Sequence, residues 1–151
     1  MCHMPSLARP SSLARSIWGT GQDQCATIKR QLLAYIPGLC VFLDVDDLKS
    51  IDALEEYVEQ TSVIMIFVSQ GYFKSKNCLR EARCTVDKKK PIVLVHDPVK
   101  GGAPLELIKS EECPLELLDS IFKLPDSNDQ RSVITWHRIQ APPQPAAAHH
   151  R

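Results

Sequence analysis

The sequence predicts an α/β domain in which helices flank a parallel β-sheet. Short, continuously apolar runs recur along the 151 residues, as expected of strands that are covered on both faces. Amphipathic stretches with helical periodicity lie between these runs. The clearest runs are LCVFL at 39–43, SVIMIFVS at 62–69 and PIVLVH at 91–96. In sheets of this class ligands bind beyond the carboxyl ends of the strands, so the chemistry should lie just after these runs.

Helices and strands are predicted to alternate along the chain. The first helix ends at Pro37-Gly38, a pair that cannot continue a helix, and Ser50 can cap the second. The predicted elements are a helix at 24–36, a strand at 39–43, a helix after Ser50 that buries Ile51, Leu54 and Val58, a strand at 62–69, a helix from about 77 to 88, a strand at 91–96, a helix at 114–122 and a strand at 132–139.

Both ends of the chain differ in composition from its middle. Residues 1–16 are rich in Ser, Pro and Arg and are predicted to form a flexible leader. Residues 141–151 form a Pro/Ala tail with little to bury. The folded domain is therefore predicted over 17–140, which is enough chain for a single domain.

Charge and composition exclude several classes of protein. Eighteen basic and eighteen acidic residues cancel, so no overall charge favours nucleic acid or an anionic membrane. The longest apolar run, 63–68, is too short to span a bilayer. No secretory signal is visible, so the six cysteines are expected to be reduced thiols in a cytoplasmic protein.

Metal and phosphate motifs are missing from the sequence. No CxxC pair occurs, and no histidine stands at metal-ligand spacing from the cysteines, so neither a metal site nor a bound cofactor is expected. Neither GxGxxG nor GxxxxGK[ST] is present, which excludes the usual phosphate-binding loops.

Two segments carry a resemblance to a known family. They are VFLDVDDL at 41–48 and IFVSQGYFKSKNCLRE at 66–81, and together they resemble the Toll/interleukin-1 receptor (TIR) domain of the plant or protist type. The matching positions, in order, are Phe42, Asp44, Leu48, Ser69, Tyr72, Ser75, Cys78, Leu79 and Glu81. The resemblance implies a flavodoxin-like three-layer sandwich with a five-stranded parallel sheet, and a cytoplasmic signalling role through self-association with other TIR domains.

The sequence departs from the family pattern at two places. Residues 13–18, LARSIW, stand where the family has its first strand, and Arg15 and Ser16 occupy positions where a central strand carries apolar side chains. Asn77 stands where the family has a tryptophan before the Cys-Leu pair. The first strand is therefore the weakest element of the predicted sheet.

The resemblance also implies a reaction. Many TIR domains cleave the N-glycosidic bond of NAD and release nicotinamide, and the catalytic glutamate of that family matches Glu81. NAD is then a substrate, and no nucleic acid or membrane partner is implied. A carboxylate suits this reaction because the transition state is oxocarbenium-like. The substrate-binding residues implied beside Glu81 are Trp18, Asp44, Ser69, Tyr72, Ser75 and Cys78.

Other functions remain open at the level of sequence. Glu81, expected in the first turn of the third helix, could serve only to stabilise the helix dipole. Cys78 could act as a nucleophile if His96 lay within reach, or could simply pack in the core. The whole chain could be a non-catalytic TIR interaction module. A nucleoside deoxyribosyltransferase, which shares the fold and a catalytic glutamate, is a more distant alternative.

Overall fold

The computed structural model describes residues 11–15, 22–43, 54–99 and 103–137, and at 11–15, 22, 42 and 43 it describes the backbone alone. The strands are β1 (Ser11–Arg15), β2 (Cys40–Leu43), β3 (Val63–Val68), β4 (Ile92–His96) and β5 (Val133–Thr135). The helices are α1 (Gln22–Tyr35), α2 (Leu54–Gln60), α3 (Lys76–Asp87) and α4 (Leu115–Phe122). Three shorter helical segments are a 3₁₀ turn at Tyr72–Lys74, a helical turn at Leu105–Leu107 and a π-helical turn at Ile108–Glu112.

The described strands lie side by side in the order β2-β1-β3-β4-β5. Every pair is parallel, with Ile64 opposite Ile92 between β3 and β4, and Leu94 opposite Val133 between β4 and β5. Helices occupy the connections, as parallel pairing requires. The prediction of an α/β fold with a parallel sheet flanked by helices is confirmed.

Strand β1 lies between β2 and β3 although its sequence is a poor strand pattern. It begins at Ser11, two residues before the segment 13–18, whose last three residues lie outside the described part. Its backbone pairs with Cys40–Leu43 on one side and with residues from Val63 on the other. Pairing uses main-chain N–H and C=O groups, so it does not require apolar side chains. Residues 11–15 thus belong to the sheet, and the leader predicted over 1–16 extends too far.

The sequence located most elements to within a few residues and missed others. The third helix begins at Lys76 rather than Asn77, and the last strand covers only Val133–Thr135 of the predicted 132–139, of which 138–139 are not described. The 3₁₀ turn and the segment 105–112 were not predicted, because neither carries enough residues of one helical face to give a periodic signal. Within the described ranges, no helix is long and apolar enough to cross a lipid bilayer.

The core has two parts, one on each face of the sheet. Alternate residues of β3 point to opposite faces, with Ile64 and Ile66 on one and Met65 and Phe67 on the other. The first face packs against α2, α3 and α4 through Leu54, Val58, Ala82, Leu117, Ile121 and Phe122. The second packs against α1 through Cys25, with Ile28 and Leu32 partly buried there. Because both faces of β3 are covered, its continuous apolar run is explained.

Gly38 ends the turn after α1 in a left-handed conformation, with φ of 80°. A Cβ at this position would meet nothing within 4 Å, so a side chain here has room and only backbone strain opposes it. We expect Gly38→Ala to lower the free energy of unfolding by about 1 kcal/mol. Gly38→Asn should cost less, because asparagine tolerates this region. Urea unfolding measures both, and equal stability of Gly38→Ala and wild type would contradict the assignment of strain.

Candidate functional site

The candidate site is built on the chain that leaves the carboxyl end of β3. Gly71, with φ of 83°, reverses the backbone, and the N–H of Tyr72 donates to the carbonyl of Ser69 at 3.0 Å. The 3₁₀ turn follows, and Ser75 then caps α3, its hydroxyl accepting from the N–H of Cys78 at 3.4 Å. These local bonds fix where α3 starts relative to the strand edge.

Glu81 lies deeper in α3 than the sequence predicted. It is the sixth residue of the helix, which places it in the second turn, and the first turn contains no acidic residue. Its exposed fraction is 0%. The interpretation of Glu81 as an acid in the first turn that stabilises the helix dipole is therefore wrong. A fully buried carboxylate is costly to a fold unless other groups compensate it, and the Tyr72 hydroxyl is one such group.

Tyr72 contacts Glu81 within the candidate site. The ring is fully buried, and its hydroxyl donates to the Oε2 of Glu81 at 3.5 Å, near the outer limit of a hydrogen bond. Phe73 meets the Tyr72 ring edge to face, with centroids 5.0 Å apart. Packing thus holds the ring, and the contact between its hydroxyl and the carboxylate is a long one.

The other residues predicted from this segment have the following positions. Ser69 is buried at the end of β3, and Ser75 caps α3. Cys78 is 4% exposed and packs among the apolar residues on the face of the sheet that α2, α3 and α4 cover. All three stand within one continuous turn and helix with Tyr72 and Glu81. Trp18 and Asp44 lie outside the described residues.

Arg80 and Arg83, the basic residues nearest Glu81 in sequence, point away from it. Arg80 makes two hydrogen bonds, of 2.6 and 2.7 Å, to the carboxylate of Glu55 on α2, and these lower the pKa of Glu55. Arg83 lies 3.0 Å from Glu116 on α4. The two cations therefore join α3 to its neighbouring helices α2 and α4.

A second group of buried polar residues lies at the carboxyl end of β4, and the sequence analysis did not single it out. Asp97 follows the strand, and its Oδ2 accepts from the Nε2 of Gln24 on α1 at 3.1 Å. Its Oδ1 accepts from the N–H of Val99 at 2.9 Å. One feature of the sequence could have marked Asp97 as a candidate site residue: like Asp44, it directly follows an apolar run that predicts a strand. The amide of Gln24 gave no signal, because only the fold brings α1 against this edge.

His96 bears on the possibility of a cysteine nucleophile. Its Nδ1 lies 2.8 Å from the carbonyl of Val68. Because a carbonyl only accepts, this nitrogen carries the proton and donates, which leaves Nε2 as the ring nitrogen that could act as a base. Burial also raises the pKa of Cys113 to about 11, so that thiol is not a ready nucleophile at neutral pH.

A surface cavity lies along the outer face of α3, between that helix and α2. Arg80, Arg83 and Lys88 line it, and Glu81 does not. The carboxylate therefore faces the protein interior rather than this cavity. Comparison with known proteins adds no assignment, since neither any family model nor any curated protein matches the chain.

Proposed function

We propose that this chain is a TIR-type signalling domain that cleaves the N-glycosidic bond of NAD when it self-associates, with Glu81 as the catalytic carboxylate. The observation that carries the proposal is the contact between the Glu81 carboxylate and the hydroxyl of Tyr72, a residue of the turn that follows the carboxyl end of β3. That edge of a parallel sheet is where α/β domains bind ligands. The same proposal includes the flavodoxin-like, three-layer arrangement of five parallel strands.

A lone carboxylate suffices for the chemistry. The bond between C1′ of the ribose and the nicotinamide nitrogen breaks, and the bonding electrons leave with a neutral base, so no general acid is required. The ribose carbon becomes oxocarbenium-like, and a negative charge held beside it stabilises the transition state. Water then supplies a hydroxyl to C1′ and releases a proton, which gives ADP-ribose; attack by the adenine ring instead gives the cyclic product.

Access to Glu81 makes the activity conditional on a structural change. The carboxylate has no solvent exposure, so NAD reaches it only after the groups that cover it move. We attribute that movement to self-association, which the resemblance to TIR domains implies. The proposed rate of NAD cleavage therefore rises with protein concentration more steeply than in direct proportion.

A non-catalytic interaction module is the second candidate, and the complete burial of Glu81 favours it. The end of α1 also exposes three apolar side chains, Leu33, Tyr35 and Ile36, with Tyr35 83% exposed. Exposed apolar groups that lie together are typical of contact surfaces. In this alternative the chain self-associates and transmits a signal without consuming NAD.

Nicotinamide release separates the two candidates. The wild-type chain is incubated with NAD over a wide range of protein concentrations, and its assembly is followed by light scattering in the same samples. We expect release that increases more than tenfold for a tenfold rise in concentration through the assembly range. Assembly without release supports the interaction module, and release from deoxynucleosides but not from NAD supports a deoxyribosyltransferase.

A further inference from the structure

Glu112 reaches the turn beside the candidate site from a distant part of the chain. Its Oε2 accepts from the backbone N–H of Gly71 at 2.6 Å, and its Oε1 lies 3.2 Å from the Nζ of Lys74. The Glu112 side chain is 5% exposed, whereas that of Lys74 is 65% exposed. A short bond from a backbone amide to a buried carboxylate is a strong, charge-assisted one. The ion pair contributes less than this bond, because the Lys74 side chain is exposed to solvent.

The turn held by Glu112 determines where Tyr72 lies. The carbonyl of Gly71 accepts from the N–H groups of Lys74 and Ser75, so that side of the residue closes the 3₁₀ turn. Its N–H is taken by Glu112, which comes from 41 positions away. The turn is therefore anchored to the protein at Gly71, the residue directly before Tyr72. A shift of Gly71 would move the Tyr72 hydroxyl relative to Glu81.

The helical segment that carries Glu112 has an unusual geometry. It is a π-helical turn, Ile108–Glu112, in which the N–H of Cys113 bonds to the carbonyl of Ile108 at 3.0 Å. Ile108 and Cys113 are both buried and fix the two ends of this turn. Single π-turns are rare and occur frequently at functional sites. Here the wide turn ends with the carboxylate of Glu112 on the loop beside the candidate site.

We propose that Glu112 is a positioning residue that holds the Gly71–Tyr72 turn so that the Tyr72 hydroxyl meets Glu81. Its effect on catalysis rests on the proposed NAD cleavage, whereas its hold on the turn does not. Glu112 does not touch the substrate. It fixes the backbone of a glycine, which would otherwise be the most mobile residue of the turn. It thereby keeps the Tyr72 hydroxyl within hydrogen-bond distance of the Glu81 carboxylate.

The test compares Glu112→Ala with Glu112→Gln, whose amide oxygen can still accept from Gly71. Lys74→Met removes only the ion pair, and Glu106→Ala is a matched control, because Glu106 is exposed and pairs with Lys109 on the surface. Hydrogen exchange of the Gly71 amide is followed by NMR, together with kcat and KM for nicotinamide release. We expect exchange about 10- to 100-fold faster in Glu112→Ala. We also expect kcat to fall by about 10-fold or more with KM little changed.

The conservative variants decide whether positioning is the cause. Glu112→Gln should lie closer to wild type than to Glu112→Ala in both measurements, and Lys74→Met should have a smaller effect than Glu112→Ala. Unchanged Gly71 exchange in Glu112→Ala overturns the hold on the turn, and faster exchange with unchanged kcat overturns its role in catalysis. A wild-type chain that releases no nicotinamide refutes the proposed function and the catalytic role together, while Gly71 exchange still decides whether Glu112 holds the turn.

Discussion

Glu81→Gln is expected to reduce nicotinamide release from NAD on the order of 100-fold or more, because the amide keeps the shape of the side chain but cannot carry a negative charge. The amide oxygen can still accept from the Tyr72 hydroxyl, which in the wild-type chain lies 3.5 Å from the carboxylate. The variant therefore removes the charge while it preserves the packing. Initial rates of nicotinamide release at saturating NAD measure the effect.

Stability must be measured alongside the activity of this variant. Because Glu81 is fully buried, the activity of the variant is compared only where thermal unfolding shows that it is folded at the assay temperature. Glu56→Gln is the control, since Glu56 is an exposed glutamate on α2 whose Oε1 accepts a hydrogen bond from Gln60 on the same helix. If Glu81→Gln retains wild-type activity, Glu81 is not the catalytic residue, whatever the reaction of the chain.

Glu81 also interrupts the pattern of its own helix. The buried side of α3 carries Cys78, Ala82 and Cys84, which belong to the apolar core, and Glu81 adds a fully buried carboxylate to the same helix. Positions where a sequence breaks the rule of its element are expected at functional sites, where activity is retained at some cost in stability. The fold thus supplies an argument for function at Glu81 that is independent of the family resemblance.

Hydrophobic pattern predicted the main elements of the fold because each of them is long enough to show a period. The run at 62–69 became β3, and the face of the predicted first helix became the packing surface of α1. The hydrophobic pattern did not predict strand β1, because its sequence, SSLAR, carries no apolar pattern. The backbone hydrogen bonds to its two neighbouring strands place it in the sheet. Tertiary context overrides local propensity at such positions.

The candidate site could be predicted only where its residues are neighbours in sequence. Ser69, Tyr72, Ser75, Cys78 and Glu81 follow one another along a single turn and helix, so a motif could show them together. The contacts between Gln24 and Asp97 and between Gly71 and Glu112 span 73 and 41 positions, and no local pattern encodes them. Whether Glu81 would be exposed was likewise beyond the sequence, because burial depends on the elements that cover a helix.

Arg131→Met is expected to destabilise the protein by about 3 kcal/mol, the largest effect on stability that we predict outside the apolar core. The last four carbonyls of a helix have no partner within it. At the end of α4 the side chain of Arg131 donates to the carbonyls of Ile121 at 2.8 Å and Ser120 at 3.5 Å, and its own N–H donates to Phe122 at 2.6 Å. The guanidinium also donates to the backbone carbonyls of Lys123 at 3.0 Å and of Ile92, at the start of β4, at 3.1 Å.

Methionine fills most of the same volume but donates no hydrogen bond, so these carbonyls lose their partner and the helix end loses a favourable positive charge. Burial lowers the pKa of Arg131, yet a guanidinium stays charged throughout the accessible pH range, so the effect should not depend on pH. Arg131→Lys should recover only part of the loss, because one ammonium cannot bond carbonyls on both α4 and β4 in the geometry of the planar fork. Arg83→Met is the control, since Arg83 and Glu116 form an exposed ion pair, and such pairs contribute little to stability. Equal urea-unfolding free energies for Arg131→Met and Arg83→Met would mean that water replaces the guanidinium at the end of α4, and that β4 and α4 are joined by apolar packing alone.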